Sequence, residues 1–467
     1  MKAIDFIREV ETRYDVKSIK VNDLEVWPFL RVLYACAYAE KHDFKSEGKK
    51  FSLWAKIKIV KNIFYGFPNL FKKYDYFVFS GGLSRVKMYD KLWDKYCDGI
   101  YEYYKPKILF IEDGVASGHY KRNQIFTRSI VSSNLIYLLG NLFFLKRVYI
   151  ENEQVLKNIE EEFKLKLNYK KKIKKFLQYV RILNLFLKIY KPKRIFLSCY
   201  YSPMHQALIY TAHQHNIKVI ELQHGIINNQ HLAYNVFTKL DESFFPDYLF
   251  AFGEYVENVF GKSNYFIKKE KVIPVGSMYI DYINNEYQPL PETTKRFSEY
   301  RKKYKKIVAV SFQGALEDKL IDFLKKSASL NGEILYIVVP RDLNKDYSRS
   351  GFPVNITILK KLNVYQTIKE ADFHSTLYST CALEAPALGT PNILINIDDF
   401  ARRNYFNLLT NRNITKFVDN PEQFVDLILN WQTKPKEEIR TLHNKFYKQN
   451  CQENLKQVLQ AIDNKYV

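Results

Sequence analysis

Short apolar runs that end abruptly at turn residues alternate along this chain with longer amphipathic runs. YDYFVFSGG, KILFIEDG, RIFLSCYY, KVIELQHG and DYLFAFG have the length and composition of buried strands. Between two of these runs, Met204 to His215 has the apolar spacing of a helix. A strand, a helix and a second strand in this order form a parallel pair with a crossover connection. The pattern therefore predicts an α/β fold built on parallel sheets.

The same alternation returns after a polar stretch that contains prolines. KIVAVSFQG, EILYIVVPRD and PNILIN have strand character, with helical runs between them. The chain has 467 residues, which is too long for one ordinary core. We therefore expect two doubly wound domains that face a cleft, one over residues 74–285 and one over residues 306–467, joined by a linker at 286–305. Residues 1–73 are expected to be mainly helical, and the C-terminal helices are expected to close the second domain.

The charge of the chain predicts anionic partners. There are 72 Lys and Arg residues against 50 Asp and Glu residues, which gives a formal net charge of +22. Such a charge favours phosphorylated small molecules or an anionic lipid surface. Nucleic acid is not expected as a partner, because the basic residues are dispersed and no recognised binding motif accompanies them. The five cysteines are far apart in the sequence, which indicates a reduced, cytoplasmic setting.

Any membrane contact is expected to be peripheral. The first residues lack the uninterrupted apolar core of a secretory signal. The most apolar run, Asn134 to Leu145, is shorter than the roughly 20 residues that span a bilayer. Phe51 to Lys73 interleaves aromatic and aliphatic residues with lysines. Two interpretations fit this segment: an amphipathic helix on the inner face of the cytoplasmic membrane, or a helix that packs its apolar face on the protein.

Two adjacent carboxylates follow one of the apolar runs. Ligands of open α/β sheets bind beyond the carboxyl ends of the strands, so residues at these ends are candidate site residues. Glu112 and Asp113 stand there, before Gly114. Adjacent residues of an extended chain point to opposite sides, so one of the two is expected to face the ligand and to act as a general base. The alternative is an Asp-Gly turn in which the carboxylate bonds its own backbone.

A second run ends in the triplet Gln223, His224 and Gly225. A histidine at this place can meet a phosphate or a substrate hydroxyl, and the glycine lets a ligand approach the backbone closely. The alternative is an ordinary hydrogen-bonded loop histidine. The neighbouring histidines lack metal-ligand spacing, and no Asp-x-Asp element ends a strand. A site without metal or other cofactor is therefore expected.

The segment ADFHSTLYSTCALEAPALG places several hydroxyl residues between a strand and a helix. Hydroxyls and free amides at a helix N-terminus suit a phosphate group. Glu384, one turn into the helix, would reach a ribose hydroxyl. The alternative is an ordinary Ser or Thr N-cap. The predicted donor-binding residues, which include glycines and an arginine at the ends of other runs, are Gln223, Gly225, Gly314, Arg341, His374, Ser375, Thr376, Ser379, Thr380 and Glu384.

Several of these segments resemble parts of known transferases. STLYSTCALEAPALGTPNILI resembles the nucleotide-phosphate-binding segment of glycosyltransferases with the two-domain GT-B fold. FFPDYLFAFGEYVENVF, KVIPVGSMYIDY and the Gln223–Gly225 triplet are similar to elements of bacterial capsule-type transferases and CDP-glycerol glycerophosphotransferases. The Glu112–Gly114 triplet resembles the acidic motif of bacterial sialyltransferases, in which the second carboxylate is the base. Together the resemblances cover roughly Tyr74 to Val418.

The resemblance implies a bacterial surface-polysaccharide glycosyltransferase, of capsule or lipopolysaccharide type, with two Rossmann-like domains. It would move a sugar from a nucleotide-activated donor, with a CMP-sugar such as sialic acid or Kdo favoured, to a hydroxyl of a glycan or glycolipid. Asp113 or Glu112 would take the acceptor proton, and His224 would stabilise or protonate a reacting oxygen. Sialyltransferases carry a His-Pro pair where this chain has Val339 and Pro340. His224, His374 or Arg341 would then take over its role.

Four alternatives share these features. They are a UDP-sugar transferase, a CDP-glycerol type transferase, a nucleotide-sugar epimerase of the same fold and a non-catalytic polysaccharide assembly factor. Release of free nucleotide on sugar transfer separates a transferase from an epimerase. An assembly factor would keep the fold without needing Asp113 or His224.

Overall fold

The structure is a computed structural model. It describes residues 2–42, 62–115, 118–142, 148–261, 263–314, 316–341, 345–347, 350–360 and 363–465. The chain forms two compact units, residues 1–278 with 450–467 and residues 279–449. Each unit contains one parallel sheet, which confirms the predicted α/β class with two parallel-sheet domains.

The first unit is built on a seven-stranded sheet. Two small hairpins are formed by β1 (Lys20–Val21) with β2 (Leu24–Glu25) and by β4 (Arg85–Met88) with β5 (Lys91–Asp94). The strands of the sheet itself are β3 (Tyr76–Gly81), β6 (Ile108–Asp113), β7 (Ile130–Ser132), β8 (Arg194–Leu197), β9 (Lys218–Leu222), β10 (Tyr248–Ala251) and β11 (Val272–Pro274). The sheet order is β11-β10-β9-β8-β3-β6-β7, and all neighbours are parallel. The chain builds outward in one direction from β3 and in the other from β8. The topological switch point, where doubly wound sheets bind ligands, therefore lies between β3 and β8.

The helices of the first unit bury apolar faces against this sheet and against one another. They are Ala3–Arg13, Trp27–His42, Asp98–Tyr104, Asn134–Leu142, Glu153–Glu162, Tyr169–Tyr190, Pro203–Gln214 and Cys451–Lys465. Short 3-10 turns lie at Val16–Ser18, Phe67–Phe71, Gly82–Ser84, Glu242–Phe244, Glu254–Val259 and Lys269–Lys271. Among the described residues, none of the helices combines the length and the hydropathy that a membrane crossing requires.

The first two helices belong to the core of the first unit. Their apolar residues share one buried cluster with the sheet. A fully buried ion pair joins them, with 2.6 Å between Arg31 Nε and Glu11 Oε1. Arg31 also donates to the carbonyls of Leu232 and Ala233, in the loop that follows β9. The N-terminal helices therefore hold this loop in place. The sequence left two interpretations open for residues 51–73, and positions 51–61 of that segment lie outside the described residues.

The last helix of the chain, Cys451–Lys465, packs on the first unit, whereas the C-terminal helices were expected to close the second domain. Arg194, at the start of β8, is the physical reason. Its guanidinium is nearly buried and pairs with the carboxylate of Asp463, and Nη2 donates to the carbonyl of Ile462 at 3.1 Å. A buried guanidinium without such partners would be strongly destabilising.

The second unit is built on a six-stranded sheet. Its strands are β12 (Lys306–Ser311), β13 (Ile334–Val339), β14 (Ile356–Ile358), β15 (Phe373–Thr376), β16 (Asn392–Ile395) and β17 (Thr415–Val418). The order is β14-β13-β12-β15-β16-β17, all parallel. The switch point of this sheet lies between β12 and β15. The helices are Met278–Asn285, which begins at the last residue of the first unit, Pro291–Lys303, Glu317–Leu330, Val364–Glu370, Cys381–Ala387, Phe400–Tyr405, Pro421–Asn430 and Lys436–His443.

Candidate functional site

His205 lies at the switch point of the first sheet. It follows β8 in the first turn of helix Pro203–Gln214, where the side chain of Ser202 caps the helix by accepting from the backbone N–H of His205. The imidazole Nδ1 is 2.5 Å from the carbonyl oxygen of Cys199. Because a carbonyl only accepts, Nδ1 carries the proton of a neutral ring and Nε2 carries a lone pair. This histidine is not among the site residues predicted from the sequence.

The Nε2 atom of His205 has no hydrogen-bond partner among the residues that the structure describes. The side chain packs edge-on against Phe79 of β3, with 6.0 Å between ring centroids, and 7% of the residue is exposed. Burial lowers the pKa of His205, and the charge of Asp113 opposes this shift. His205 is therefore a neutral imidazole with an available acceptor nitrogen, within the electrostatic reach of a carboxylate.

Asp113 ends β6, two strand positions from β8, which corresponds to about 10 Å. It is partly buried. The hydroxyl of Ser133 donates to its Oδ1, and the hydroxyl of Tyr137 lies 3.4 Å from its Oδ2. The two hydroxyls orient the carboxylate and leave it further lone pairs with which to accept a proton.

Glu112 points to the other side of the strand, as the alternation of an extended chain predicts. Its side chain is 1% exposed. Oε2 is 2.5 Å from Arg85 Nε, and Oε1 is 3.3 Å from His119 Nδ1. Arg85 also lies 3.7 Å from the buried Asp98, whose pKa burial raises to about 7. The carboxylate of Glu112 is thus occupied in an internal ion-pair network that fixes strand β4.

His224 follows β9 and contacts the residues that follow β8. Its Nε2 is 3.1 Å from the hydroxyl of Tyr201, and its carbonyl accepts from Tyr96 at 2.9 Å. Burial lowers the pKa of His224 to about 4, with smaller contributions from His205 and Lys95. Its Nδ1 is buried and has no hydrogen-bond partner within the described part of the chain. His224 is therefore neutral at pH 7, with one nitrogen not used inside the protein.

The two neighbours of His224 shape the turn. The side-chain Nε2 of Gln223 donates to the carbonyl of Gly225 at 2.7 Å, and its Oε1 accepts from the backbone of Phe252 at 2.7 Å. The amide of Gln223 is thus used for structure. A Cβ on Gly225 would face open space. The glycine keeps the approach to this turn clear.

The first unit contains a pocket of about 170 Å³ that reaches Asp113 only through one lining side chain. Tyr137 connects the two, because it lines the pocket and its hydroxyl reaches Asp113. Ser202, the N-cap of the helix that carries His205, lines it as well. We call it the lysine pocket, and it is lined by Leu33, Tyr137, Lys172, Lys175, Tyr179, Ser202, Pro203 and Met204.

The switch point of the second sheet brings together Gly314, after β12, and Tyr378 and Thr380, after β15. Arg341 follows the adjacent strand β13 and is exposed, with Nη1 2.5 Å from Gln313 Oε1. Burial raises the pKa of Tyr378, and the charge of Arg341 lowers it, so the guanidinium lies near the phenol. Tyr378 is 42% exposed. An aromatic side chain, a guanidinium and an open glycine thus share this edge. Tyr378 was not among the residues predicted from the sequence, although it lies within the segment ADFHSTLYSTCALEAPALG.

Three of the predicted donor-binding side chains are buried within the second sheet. Nδ1 of His374 donates to Asn392 Oδ1 at 2.7 Å, and its Nε2 accepts from the hydroxyl of Ser311 at 2.9 Å. Burial lowers the pKa of His374 to about 4. Ser375 donates to a backbone carbonyl of β16 at 2.6 Å. Thr376 donates to a backbone carbonyl of β12 at 2.9 Å. All three side chains are occupied in holding neighbouring strands together.

The remaining predicted residues lie around helix Cys381–Ala387. Oγ of Ser379 accepts from the backbone N–H of Cys381, the first residue of the helix, at 3.2 Å. Thr380 is exposed. Glu384 is 8% exposed; its Oε1 accepts from the hydroxyl of Tyr365 at 2.6 Å, while Oε2 is buried without a partner among the described residues. Of this group, only Thr380 presents its hydroxyl to solvent.

The sequence matches no family model and no curated protein. Solved structures are similar in fold. The calicheamicin glycosyltransferase CalG4 is 11% identical, with 85% of this chain and 100% of that chain covered and a TM-score of 0.51. UDP-GlcNAc 2-epimerase from Neisseria meningitidis, bound to UDP-GlcNAc, is 14% identical over 83% of this chain and 99% of that chain, with a TM-score of 0.48. The wall teichoic acid polymerase TagF is 13% identical over 90% and 100%, with a TM-score of 0.47. The similarity to CalG4 confirms the predicted GT-B type of fold.

Proposed function

We propose that the protein is a glycosyltransferase that moves a sugar from a nucleotide-activated donor to a hydroxyl of a bacterial surface glycan or glycolipid. One observation carries the proposal: Nε2 of His205 is available at the switch point of the first sheet, and the carboxylate of Asp113, held by two hydroxyls, ends a strand of the same sheet. Transfer to a hydroxyl needs a group that takes up its proton, and a GT-B fold offers a binding place for the donor nucleotide.

In this proposal Asp113 takes up the proton that the acceptor hydroxyl releases, and Nε2 of His205 accepts a hydrogen bond from a neighbouring hydroxyl of the acceptor. The acceptor oxygen forms the new bond to the sugar, and the bond between the sugar and the donor phosphate breaks. The proton adds to the carboxylate of Asp113, whose charge rises from −1 to zero. Glu112 is the less suitable base, because Arg85 and His119 already occupy its carboxylate.

His224 has a different role from proton donation in this scheme. A pKa of about 4 leaves almost no imidazolium at neutral pH. A neutral His224 would instead orient Tyr201 and offer its unused nitrogen to the acceptor as a hydrogen-bond partner.

The second unit would bind the donor nucleotide. Arg341 would neutralise the leaving phosphate, so that the transfer needs no metal ion, and Gly314 would let the phosphate approach the backbone. Tyr378 would stack on the base. A CMP-sugar, such as an activated sialic acid or Kdo, is the favoured donor, and UDP-sugars and CDP-glycerol are the other donors to test. We also propose a reversible contact with the anionic inner face of the cytoplasmic membrane, supported by the net charge of +22.

A thermal-shift panel with CMP, CDP, UDP, GDP and their sugar conjugates tests the proposal, because a ligand that binds only the folded state raises the unfolding midpoint. We expect the largest shift with CMP and CMP-sugars. Incubation with an acceptor should then release free nucleotide. An epimerase would change the sugar and keep it attached. A folded protein that no nucleotide stabilises would contradict the proposed function.

A further inference from the structure

We propose that the lysine pocket binds a phosphate group carried by the acceptor. This inference rests on the proposed function and names the class of its acceptor, a phosphorylated glycan or glycolipid. The position of the pocket, the charge of its lining and its size all favour a phosphate.

The position links the pocket to Asp113 and to His205 through two of its own lining residues. The hydroxyl of Tyr137 lies 3.4 Å from Asp113 Oδ2. Ser202 accepts from the backbone N–H of His205 at 3.1 Å. A group bound in the pocket is therefore one side chain away from Asp113 and borders the helix turn that carries His205. If the phosphate of the acceptor binds in the pocket, a hydroxyl a few bonds further along the same acceptor molecule would lie close to Asp113.

The charge of the lining is positive. Lys172 and Lys175 lie one helical turn apart on helix Tyr169–Tyr190, so they occupy the same face. Lys172 is exposed and has no ion-pair partner in the described ranges. Lys175 is partly buried, donates to Asn141 and lies 4.6 Å from the ring centroid of Tyr179. No carboxylate is among the described lining residues, so an anion would meet two ammonium groups, while the carboxylate of Asp113 lies beyond the hydroxyl of Tyr137.

The size and the chemistry of the lining favour phosphate. Pockets that enclose a whole drug-sized ligand measure about 300–1,000 Å³. The lysine pocket, at about 170 Å³, suits one headgroup-sized moiety. Ammonium groups of lysine act as point charges and are common partners of phosphate groups in proteins. Leu33, Pro203 and Met204 provide an apolar wall for the carbon chain that carries the phosphate.

Binding of monohexyl phosphate, measured by calorimetry in the absence of nucleotide, tests the inference. We expect the wild type to prefer monohexyl phosphate over hexanoate, and Lys172→Met to bind monohexyl phosphate about tenfold more weakly, since one charge-assisted contact at a partly exposed site is lost. Lys171→Met is the matched control. Lys171 is the exposed neighbour in the same helix turn and does not line the pocket, so its replacement should leave the affinity unchanged. Equal affinity in wild type and Lys172→Met, or a preference for hexanoate, would overturn the inference.

A second arm identifies the source of the phosphate. Sedimentation with phosphatidylglycerol vesicles that depends on Lys172 more than on Lys171 would indicate a lipid-linked phosphate, and binding of monohexyl phosphate alone would indicate a soluble phosphorylated glycan. Either result supports binding of a phosphate group in the lysine pocket. The nucleotide panel is an independent readout. If nucleotides stabilise the protein while monohexyl phosphate does not bind, the pocket assignment fails alone; if the reverse holds, the proposed function fails while the anion site stands.

Discussion

The two sheets place polar residues at equivalent switch points, but they use them in opposite ways. At the first sheet, His205 keeps an available nitrogen, and the partners of the two Asp113 oxygens among the described residues are hydroxyl groups. At the second sheet, the hydroxyls of Ser375 and Thr376 donate to backbone carbonyls of adjacent strands. A polar residue at a strand end is therefore a candidate ligand only if its polar atoms are not already paired inside the sheet.

The largest effect that would sharpen this contrast is expected from Asp113→Asn. An amide cannot take up the acceptor proton, so the turnover number should fall about 10³-fold, which corresponds to about 4 kcal/mol. Nucleotide affinity should stay the same, because Asp113 belongs to the first unit and the nucleotide is assigned to the second. Single-turnover kinetics with calorimetry of nucleotide binding measures both quantities. A turnover number within tenfold of the wild-type value would show that Asp113 is not the base.

Much of the fold could be predicted from the sequence, because strands that are buried on both faces read as continuous apolar runs. KILFIEDG and KVIELQHG became β6 and β9, and the two parallel sheets follow the two blocks of alternation. The place of the last helix was not predicted. That placement depends on the partner of Arg194, a residue more than 250 positions away in the sequence, and no local pattern reports such a contact.

The second-largest effect is expected from His374→Ala, which tests whether the polar residues of the second sheet serve the structure. The substitution removes two internal hydrogen bonds, leaves Ser311 and Asn392 without their partner and opens a cavity. The free energy of unfolding should fall by about 3 kcal/mol. Denaturant titration measures this change, and nucleotide affinity at a temperature where the variant is folded should be the same as in wild type. Normal stability with lost nucleotide binding would show instead that His374 is a ligand.

The pH dependence of stability gives a smaller effect at the same residue. The pKa of His374 is about 4 in the folded state and about 6.5 in the unfolded chain. The folded state therefore resists protonation, and the stability that the neutral form provides is present above pH 6.5 and is lost as the pH falls from 6.5 toward 4. Between pH 7 and 5, wild type should lose about 2 kcal/mol more than His374→Gln. Parallel pH profiles for the two proteins would contradict the assignment.

The residues of the candidate site were harder to predict than the fold. Asp113 and His224 were found because they stand where apolar runs of the sequence end. His205 was missed because its availability depends on the carbonyl of Cys199, which fixes the tautomer through a contact made only in the folded chain. A local signal existed: Ser202 and Pro203 mark a helix start just after a strand, which places residue 205 in the first turn above the strand end.

The smallest expected effect concerns the nucleotide contact itself, where Arg341→Gln is compared with Ser375→Ala. Arg341 is exposed at the edge of the second sheet, so loss of its charge should weaken nucleotide binding about tenfold, or about 1.4 kcal/mol. Ser375→Ala removes a buried hydroxyl that bonds the backbone. It should cost about 1 kcal/mol of stability and change the nucleotide affinity less than twofold. Arg296→Gln, which removes the same charge on a helix surface of the second unit, is the control. If Ser375→Ala weakened binding more than Arg341→Gln, the hydroxyl segment would be the phosphate site after all, and the contrast between the two switch points would disappear.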